Sequence, residues 1–469
     1  MKNCITDISI NAFSKEGHGV GPSSGQDGRQ IEVEVPFAIP GDEVSTLLLK
    51  RKKGIYQSRL QTIISPSASR IQPLCIHFGA CGGCRWQQLP YELQLQQKEG
   101  WIKAYLDPYL NSDVVWHPII PSSQWHYRNK MELSFSSDLS GNRYLGLILY
   151  GTRGHVFNMK ECHLPRSWFA KCAEVVNAWW GDSGLAAYHS GKDTGSLRTL
   201  TIREGQRTGD RMVMLTVSGN ADYALSKLQL KSLVEALRKN FELVSEDKKL
   251  SIFVRIQQIA KGRRTNFYEL LLHGPDHIRE TLNLNGRQLH FRISPTAFFQ
   301  PNTEQAEKLY LRALEMAQLP SWAVVYDLYC GTGTLGICAA NHVKEVLGIE
   351  ISPESVLDGR ENIKLNGLSN ITILAGDVGD VLKTLSDEGK CRPDVVMVDP
   401  PRAGLDPKAI HHILALKAPL LIYISCNPAS QAANLEFLIK DGYHVKAVQP
   451  VDQFPQTVHV ENIVVLERK

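Results

Sequence analysis

Three short apolar runs, each ending in residues able to do chemistry, constrain this chain more than any other feature. Val325-Tyr326-Asp327-Leu328 runs into Tyr329-Cys330-Gly331-Thr332-Gly333, and Val395-Val396-Met397-Val398 ends in Asp399-Pro400-Pro401-Arg402. Leu420-Leu421-Ile422-Tyr423-Ile424 ends in Ser425-Cys426-Asn427-Pro428. Short apolar runs closed by turn formers read as strands buried on both faces, the habit of parallel sheets. Open α/β sheets put their reacting groups at the carboxyl ends of such strands. A glycine loop, a carboxylate and a thiol are thereby predicted along one sheet edge. From Ile293 onward strand and helix patterns alternate, which predicts a doubly wound, Rossmann-like α/β domain.

Gly331-Thr332-Gly333-Thr334-Leu335-Gly336 has the GxGxxG form and opens a helical stretch. Glycines let backbone approach a ligand closely, and an acid about 20 residues on binds ribose hydroxyls. Glu350, at the end of Glu345–Ile349, fills that place. A nicotinamide cofactor satisfies the same two features. Gly376-Asp377 closes a third strand, Ile371–Leu374, where an adenine amino group is bound, and the chain ends in a strand–loop–strand pair, His444–Gln449 then Asn462–Glu467. That pair suits the antiparallel last strand of S-adenosylmethionine-dependent methyltransferases, and the methyltransferase reading is favoured over the dehydrogenase.

Asp399-Pro400-Pro401-Arg402 is like the signature of amino-group methylators, but Arg402 stands where an aromatic would stack on the base. Cys426 has no task in direct transfer to an amine. It has one if the acceptor is C5 of a pyrimidine, a poor nucleophile until a thiolate adds to C6 and generates an enolate. A base must then remove the C5 proton before the thiol is expelled. Asp399 can accept from uracil N3–H. Glu461 is the candidate base, with His459, two residues back, its rival. Cys330, Cys338 and Cys391 are expected to be buried and inert.

The chain has 469 residues, too many for one core, and its 43% hydrophobic and 21% charged content is that of a globular protein. No apolar run approaches the about 18 residues of a membrane span. The start has no apolar signal region, so a cytoplasmic setting is expected. The net charge of +4 is unevenly spread: no acid occurs between Glu43 and Glu92, where Lys50, Arg51, Lys52, Lys53, Arg59, Arg70 and Arg85 fall. A second basic cluster comprises Arg255, Lys261, Arg263 and Arg264. Such windows beside aromatics point to a polyanion, nucleic acid first.

Ile31-Glu32-Val33-Glu34-Val35 alternates at period two, and residues 1–65 read as a small β module of the oligonucleotide-binding kind. A Ser/Pro-rich linker, Pro66 to Pro73, follows. Cys75-x5-Cys81-x2-Cys84 then gives three thiols within ten residues, with glycines that permit tight turns. In a chain with no secretory signal these read as metal ligands. Cys162 is the leading fourth ligand, with Cys172 and Cys4 behind it. Zinc and a [4Fe–4S] cluster both accept four thiolates, and spacing does not choose between them.

Together with Tyr127-Arg128-Asn129-Lys130, Phe298-Phe299-Gln300-Pro301-Asn302 and His459-Val460-Glu461, these motifs resemble the RNA uracil-5-methyltransferase family over essentially the whole chain. The likeness is greatest to the bacterial 23S ribosomal RNA enzymes with an N-terminal TRAM domain and an iron–sulphur cluster. The resemblance implies a TRAM-like β-barrel on 1–65 and a central cluster-bearing domain on 66–92 and 126–285. A methyltransferase domain would occupy 93–125 and 286–469. It implies a [4Fe–4S] cluster on Cys75, Cys81, Cys84 and Cys162 rather than zinc, Cys426 as nucleophile and Glu461 as base. S-adenosylmethionine contacts would fall on Gln300, Tyr329, Thr334, Glu350, Asp377 and Asp399. Many members carry Phe and Asn where this chain has Tyr329 and Thr334. The expected substrate is 23S rRNA, bound by a monomer. A tRNA T-loop uridine and a purely RNA-binding role are the alternatives.

Overall fold

The computed structural model describes residues 4–24, 29–242, 248–259, 262, 265–389 and 392–468. Cys391, Lys261, Arg263 and Arg264 lie outside the described residues. The chain forms two compact units: residues 1–98, 148–153 and 454–459, and residues 99–147, 154–453 and 460–469. Among the described residues no helix is long and apolar enough to cross a membrane.

In the first unit, β1 (Ile5–Ser9), β2 (Ala12–Phe13), β3 (Gly19–Ser24), β4 (Gln30–Val35), β5 (Glu43–Lys52) and β6 (Ile55–Ser65) make one sheet in the order β1-β5-β6-β4-β3-β2. Val33 and Val35 turn inward against Ile8, Ile10, Val44 and Leu48, as the period-two pattern predicts, but Glu34 between them is buried too. At Gly21 a Cβ would lie 2.1 Å from the Ser9 carbonyl oxygen, so only glycine lets β3 press on β1 and curl the sheet into a barrel-like form. The acid-free window splits in two. Lys50, Arg51, Lys52, Lys53 and Arg59 are exposed around the β5–β6 turn. Arg70 instead pairs with buried Asp42, and Arg85 Nη1 meets His18 Nε2, whose Nδ1 lies 3.0 Å from Glu34. Those two arginines are structural.

Helix α1 (Tyr91–Leu106) leads into the second unit, where its Ile102 and Leu106 are fully buried, as their four-residue recurrence predicts. After β7 (Val115–Trp116), strands β8 (Lys130–Ser137), β9 (Arg143–Gly146), β10 (Leu197–Glu204), β11 (Arg211–Ser218), β12 (Leu250–Gln258) and β13 (Asn266–His273) form a mixed sheet, ordered β13-β12-β11-β10-β8-β9. Helices α2 (Trp168–Ser183) and α3 (Lys227–Phe241) share a core with it, through Phe169, Val176, Trp180 and Leu237. A hairpin, β14 (Ile278–Leu284) and β15 (Arg287–Ile293), precedes helix α4 (Thr303–Ala317).

The remaining elements are β16 (Val324–Leu328), α5 (Thr334–Ala340), β17 (Glu345–Glu350), α6 (Pro353–Leu365), β18 (Ile371–Ala375), α7 (Val378–Asp387), β19 (Val395–Val398), α8 (Pro407–Leu416), β20 (Leu420–Ser425), α9 (Pro428–Lys440), β21 (Tyr443–Val451) and β22 (Glu461–Arg468). They build an eight-stranded sheet in the order β18-β17-β16-β19-β20-β22-β21-β7. β16, β17, β18, β19 and β20 are parallel, and β22 inserts antiparallel to both β20 and β21. Layers on the two faces bury the apolar strands as predicted, with Val325, Met397 and Ile422 in one core and Tyr326, Val396 and Tyr423 in the other.

One buried amide sets the edge where β20 ends and β22 begins. Gln431, on α9, donates to the carbonyls of Tyr423 (3.0 Å) and Asn462 (3.3 Å) and accepts from the Asn462 side chain at 2.7 Å. Gln431→Leu keeps much of the volume but strands these partners without water, so a loss of about 2 kcal/mol is expected. Urea unfolding of the variant checks this; a loss below about 0.5 kcal/mol would remove the amide from its fastening role.

Candidate active site

The strand order brings five sequence-predicted residues to one edge. Asp399 follows β19, Cys426 follows β20, Glu350 ends β17, Asp377 caps α7 just after β18, and Tyr329 follows β16. Because β22 runs the opposite way, its first residue, Glu461, arrives at that same edge. The last β20–β22 pair is Ser425 with Asn462, so Cys426 and Glu461 are the next step out of the ladder.

The glycine loop is tightly specified. Tyr329, Gly331 and Gly333 have φ of 63°, 55° and 75°, in the left-handed region that suits glycine and costs Tyr329 strain. The Glu350 carboxylate accepts from the Gly331 amide (2.9 Å) and the Ser352 amide (2.7 Å), so it braces the loop from below. Thr334 is buried, its hydroxyl 3.0 Å from that of Thr332. Gln300 is buried on the far side, its amide oxygen accepting from Gln453 at 3.3 Å. Cys330 and Cys338 are buried, as expected.

Sequence reasoning missed two of these supports. Asp327, 1% exposed, accepts from the Gly336 amide at 2.8 Å and sits under the loop. Its place at a strand end before the glycines was the available signal. Gln453 had none, because its partners Gln300 and Asn302 lie some 150 residues away.

Burial dominates the electrostatics, and charge crowding adds to it. Burial, with Asp399 and Glu350 nearby, pushes Asp327 up to about 7. Burial lifts Asp399 to about 7 and Glu461 well above the usual carboxylate range, the latter also because Asp399 faces it; Arg402 opposes the shift. Burial and the same two acids push the Cys426 thiol up to about 12, again eased by Arg402. Such acids relieve their mutual repulsion by holding protons or by receiving a cation. Asn427 and Ser430 hold the Arg402 carbonyl at 2.9 and 3.2 Å, fastening the Pro-Pro-Arg loop beside Cys426.

S-adenosylmethionine fits this edge: a left-handed glycine loop leaves room for it, and clustered acids suit its sulfonium, ribose and amino groups. The metal expectation fares differently. Cys75, Cys81 and Cys84 lie in the first unit and Cys162 in the second. Cys81 forms a bridge with Leu149, and Trp86, two residues beyond Cys84, is drawn to the barrel through the Gly17 carbonyl at 3.0 Å. Among the described residues no three His, Cys, Asp or Glu side chains gather closely enough to hold a metal ion. His459 falls in the first unit, its ring edge-on to Phe454 at 6.2 Å.

The strand order, the reversed β22 and the glycine loop define an S-adenosylmethionine-dependent methyltransferase of the Rossmann-like class. The family model described as tRNA (Uracil-5-)-methyltransferase matches residues 213–469. An uncharacterized RNA methyltransferase of Protochlamydia amoebophila is 66% identical over 92% of this chain and 99% of its own length. Another, from Halalkalibacterium halodurans, is 33% identical over 100% of this chain and 98% of its own. Among solved structures, Pyrococcus abyssi tRNA (uracil-54, C5)-methyltransferase with S-adenosyl-L-homocysteine superposes with a TM-score of 0.73. It is 24% identical and covers 98% of this chain and 99% of that one, a likeness of fold. The chain belongs to the RNA uracil-5-methyltransferase family and is an S-adenosylmethionine-dependent enzyme, which sets aside the dehydrogenase and the purely RNA-binding readings.

The raised acids carry a signed pH dependence. A carboxyl whose folded pKa is raised gives its full stability below its unfolded value, near 4, and loses it as pH rises through the folded value, here about 7 for Asp399. Asn mimics the protonated acid at every pH. Asp399→Asn is therefore expected to gain stability over the parent by roughly 1–3 kcal/mol at pH 8 and by little at pH 4.5. Denaturant unfolding at the two pH values checks this; an advantage that is equal at both, or larger at pH 4.5, contradicts the charge assignment.

Proposed function

We propose that the enzyme methylates C5 of a specific uridine in RNA through a covalent adduct between Cys426 and C6. The observation that carries the reading is a thiol just past the end of β20 with an acid from each neighbouring strand, half-buried Asp399 after β19 and buried Glu461 opening β22. Bound S-adenosylmethionine supplies a methyl group on a sulfonium. Gln300, Tyr329, Thr334, Glu350, Asp377 and Asp399 are the residues proposed to hold it.

The chain's own residues carry the rest. With its thiol held near 12, Cys426 must give up its proton as it adds to C6, and the raised carboxyls beside it are the nearest acceptors. Asp399 takes the uracil N3–H, which holds the ring edge and steadies the enolate. The thiol's proton passes from the carboxyls to solvent. Once the methyl is on C5, Glu461 as carboxylate removes the C5 proton, the C5–C6 double bond re-forms, and the departing Cys426 thiolate takes that proton back. One methyl moves and one proton is released.

RNA carrying 5-fluorouridine at the target is expected to trap a protein–RNA adduct, because fluorine does not leave as a proton does. Cys426→Ala should give none while still binding S-adenosylmethionine. Glu461→Gln should accumulate a methylated adduct on natural RNA, and His459→Gln should not. An adduct of full yield in Cys426→Ala, seen on a denaturing gel, would remove Cys426 as nucleophile.

For the substrate we favour 23S rRNA, supported by the exposed cations at the β5–β6 turn of a TRAM-like first domain, a surface that a minimal transfer-RNA methylator does not need. The base must be flipped out to reach the thiol. The second reading is a T-loop uridine of transfer RNA, favoured by the wording of the family description. We infer a cytoplasmic monomer, with the domain limits given by the resemblance.

Cys75, Cys81, Cys84 and Cys162 are proposed to bind a [4Fe–4S] cluster; the spacing and glycines of the first three support a thiolate metal site, and the resemblance favours the cluster over zinc. Anaerobically purified protein is expected to be brown with close to four irons, and Cys172→Ser to keep the colour. Colourless protein with one zinc would refute the cluster.

A further inference from the structure

The second unit holds a cavity of about 200 Å³ outside the methylation edge, lined by Arg166, Trp168, Glu204, Gly209, Arg211 and Lys248. Its charges do not balance. Glu204 is the one acid in the lining, and both its oxygens are engaged, Oε1 by Arg166 at 2.8 Å and Oε2 by the Trp168 indole N–H. That cancels Arg166. Among the described residues Arg211 has no carboxylate in ion-pair range; its guanidinium lies over the Trp168 ring, 4.9 Å from the centroid. Lys248 lies along Gly209, where a Cβ would come within 3.2 Å of its Cε, and among the described residues it makes no hydrogen bond or ion pair. Two positive charges therefore face a small concave space. Helix α2 starts at the same place with no side-chain cap and no acid in its first turn.

Burial makes this costly for Arg211, whose pKa is lowered chiefly by desolvation; Glu204 opposes the shift without reversing it, and Arg166 adds to it. The nearest acid, Glu204, lies beyond ion-pair range of Arg211 and is already engaged by Arg166 and Trp168. A cation held partly dry by stacking in this way is arranged for a ligand that brings an anion of its own. Stacking on Trp168 fixes the guanidinium plane and leaves its N–H edge available for two oxygens of a tetrahedral anion. The space suits a phosphate and is too small for a nucleobase with its sugar.

The cavity is tied to the methylation edge through one residue. The Glu204 amide donates to the Asn129 carbonyl at 2.9 Å, and the Asn129 side chain donates to the Gln300 carbonyl (2.9 Å) and to Thr303 (3.0 Å). We propose that this cavity seats a backbone phosphate of the RNA substrate, gripped by Arg211 and Lys248. The assignment rests on the RNA-methylating reading, and it adds a hold on the RNA that neither the glycine loop nor the basic β5–β6 turn supplies.

The test is equilibrium binding of unmethylated target RNA at several salt concentrations. Arg211→Gln/Lys248→Gln is expected to weaken binding about tenfold and to flatten the log–log salt slope by about 0.7–0.9 for each phosphate no longer neutralised. Affinity for S-adenosylmethionine should hold, which reports an intact fold. Lys248→Glu is a second variant, on a side chain no described neighbour depends on, and should weaken RNA binding at least threefold. Inorganic phosphate is the competing source, followed by the Trp168 fluorescence that Trp168→Phe removes. RNA affinity within twofold of the parent in both variants, with an unchanged slope, would overturn the proposal, as would a site that binds inorganic phosphate while RNA affinity ignores both substitutions. The 5-fluorouridine adduct is read separately, so failure here leaves the covalent mechanism standing.

Discussion

The reversal of one strand is the constraint on which the candidate site depends. Five parallel strands deliver their carboxyl ends to a single edge, and with them a glycine loop, Glu350, Asp399 and Cys426. A sixth parallel strand would deliver only another carboxyl end. β22 runs against its neighbours, so it presents its first residue there, and that residue is Glu461. An acid is thus placed one step beyond the last hydrogen-bonded pair, next to the thiol on the adjacent strand. Gln431 and Asn462 hold the two strand ends together beneath them, which keeps that pairing independent of the loops above.

The edge is electrostatically overloaded in a way that suits its chemistry. Burial raises Asp327, Asp399 and Glu461; Asp399 adds to the shift of the other two, and Asp399 and Glu461 together raise the thiol. A site balanced this way holds protons until a cationic or hydrogen-bonding ligand arrives, then exchanges them. Arg402 is the counterweight, and it occupies the position where amino-group methylators carry an aromatic. The same substitution that removes a stacking surface supplies the charge that moderates Cys426 and Glu461.

Much of this was legible in the sequence because it is local. An apolar run followed by Asp-Pro-Pro or Cys-Asn-Pro announces a strand and what stands at its end, and the alternation after Ile293 announces the parallel sheet. What stayed hidden depends on partners far along the chain. Arg70 and Arg85 looked like part of a basic surface until Asp42 and His18 were seen to draw them inward. Gln453, some 150 residues from Gln300, had no local pattern to give it away. The cysteine triad was read from spacing, yet spacing fixes neither the direction of the thiols nor the fourth ligand, and the neighbours of Cys81 and Trp86 set that loop.

The central claim is that the thiol of Cys426 and the acid of Glu461 act on opposite ends of one C5–C6 bond. The most direct measurement follows tritium from RNA labelled at C5 of uridine, with methyl incorporation counted in the same samples. The account requires one tritium released for each methyl transferred, and neither event with Cys426→Ala. Methyl transfer that leaves the C5 tritium in place would put the chemistry on another atom and contradict it.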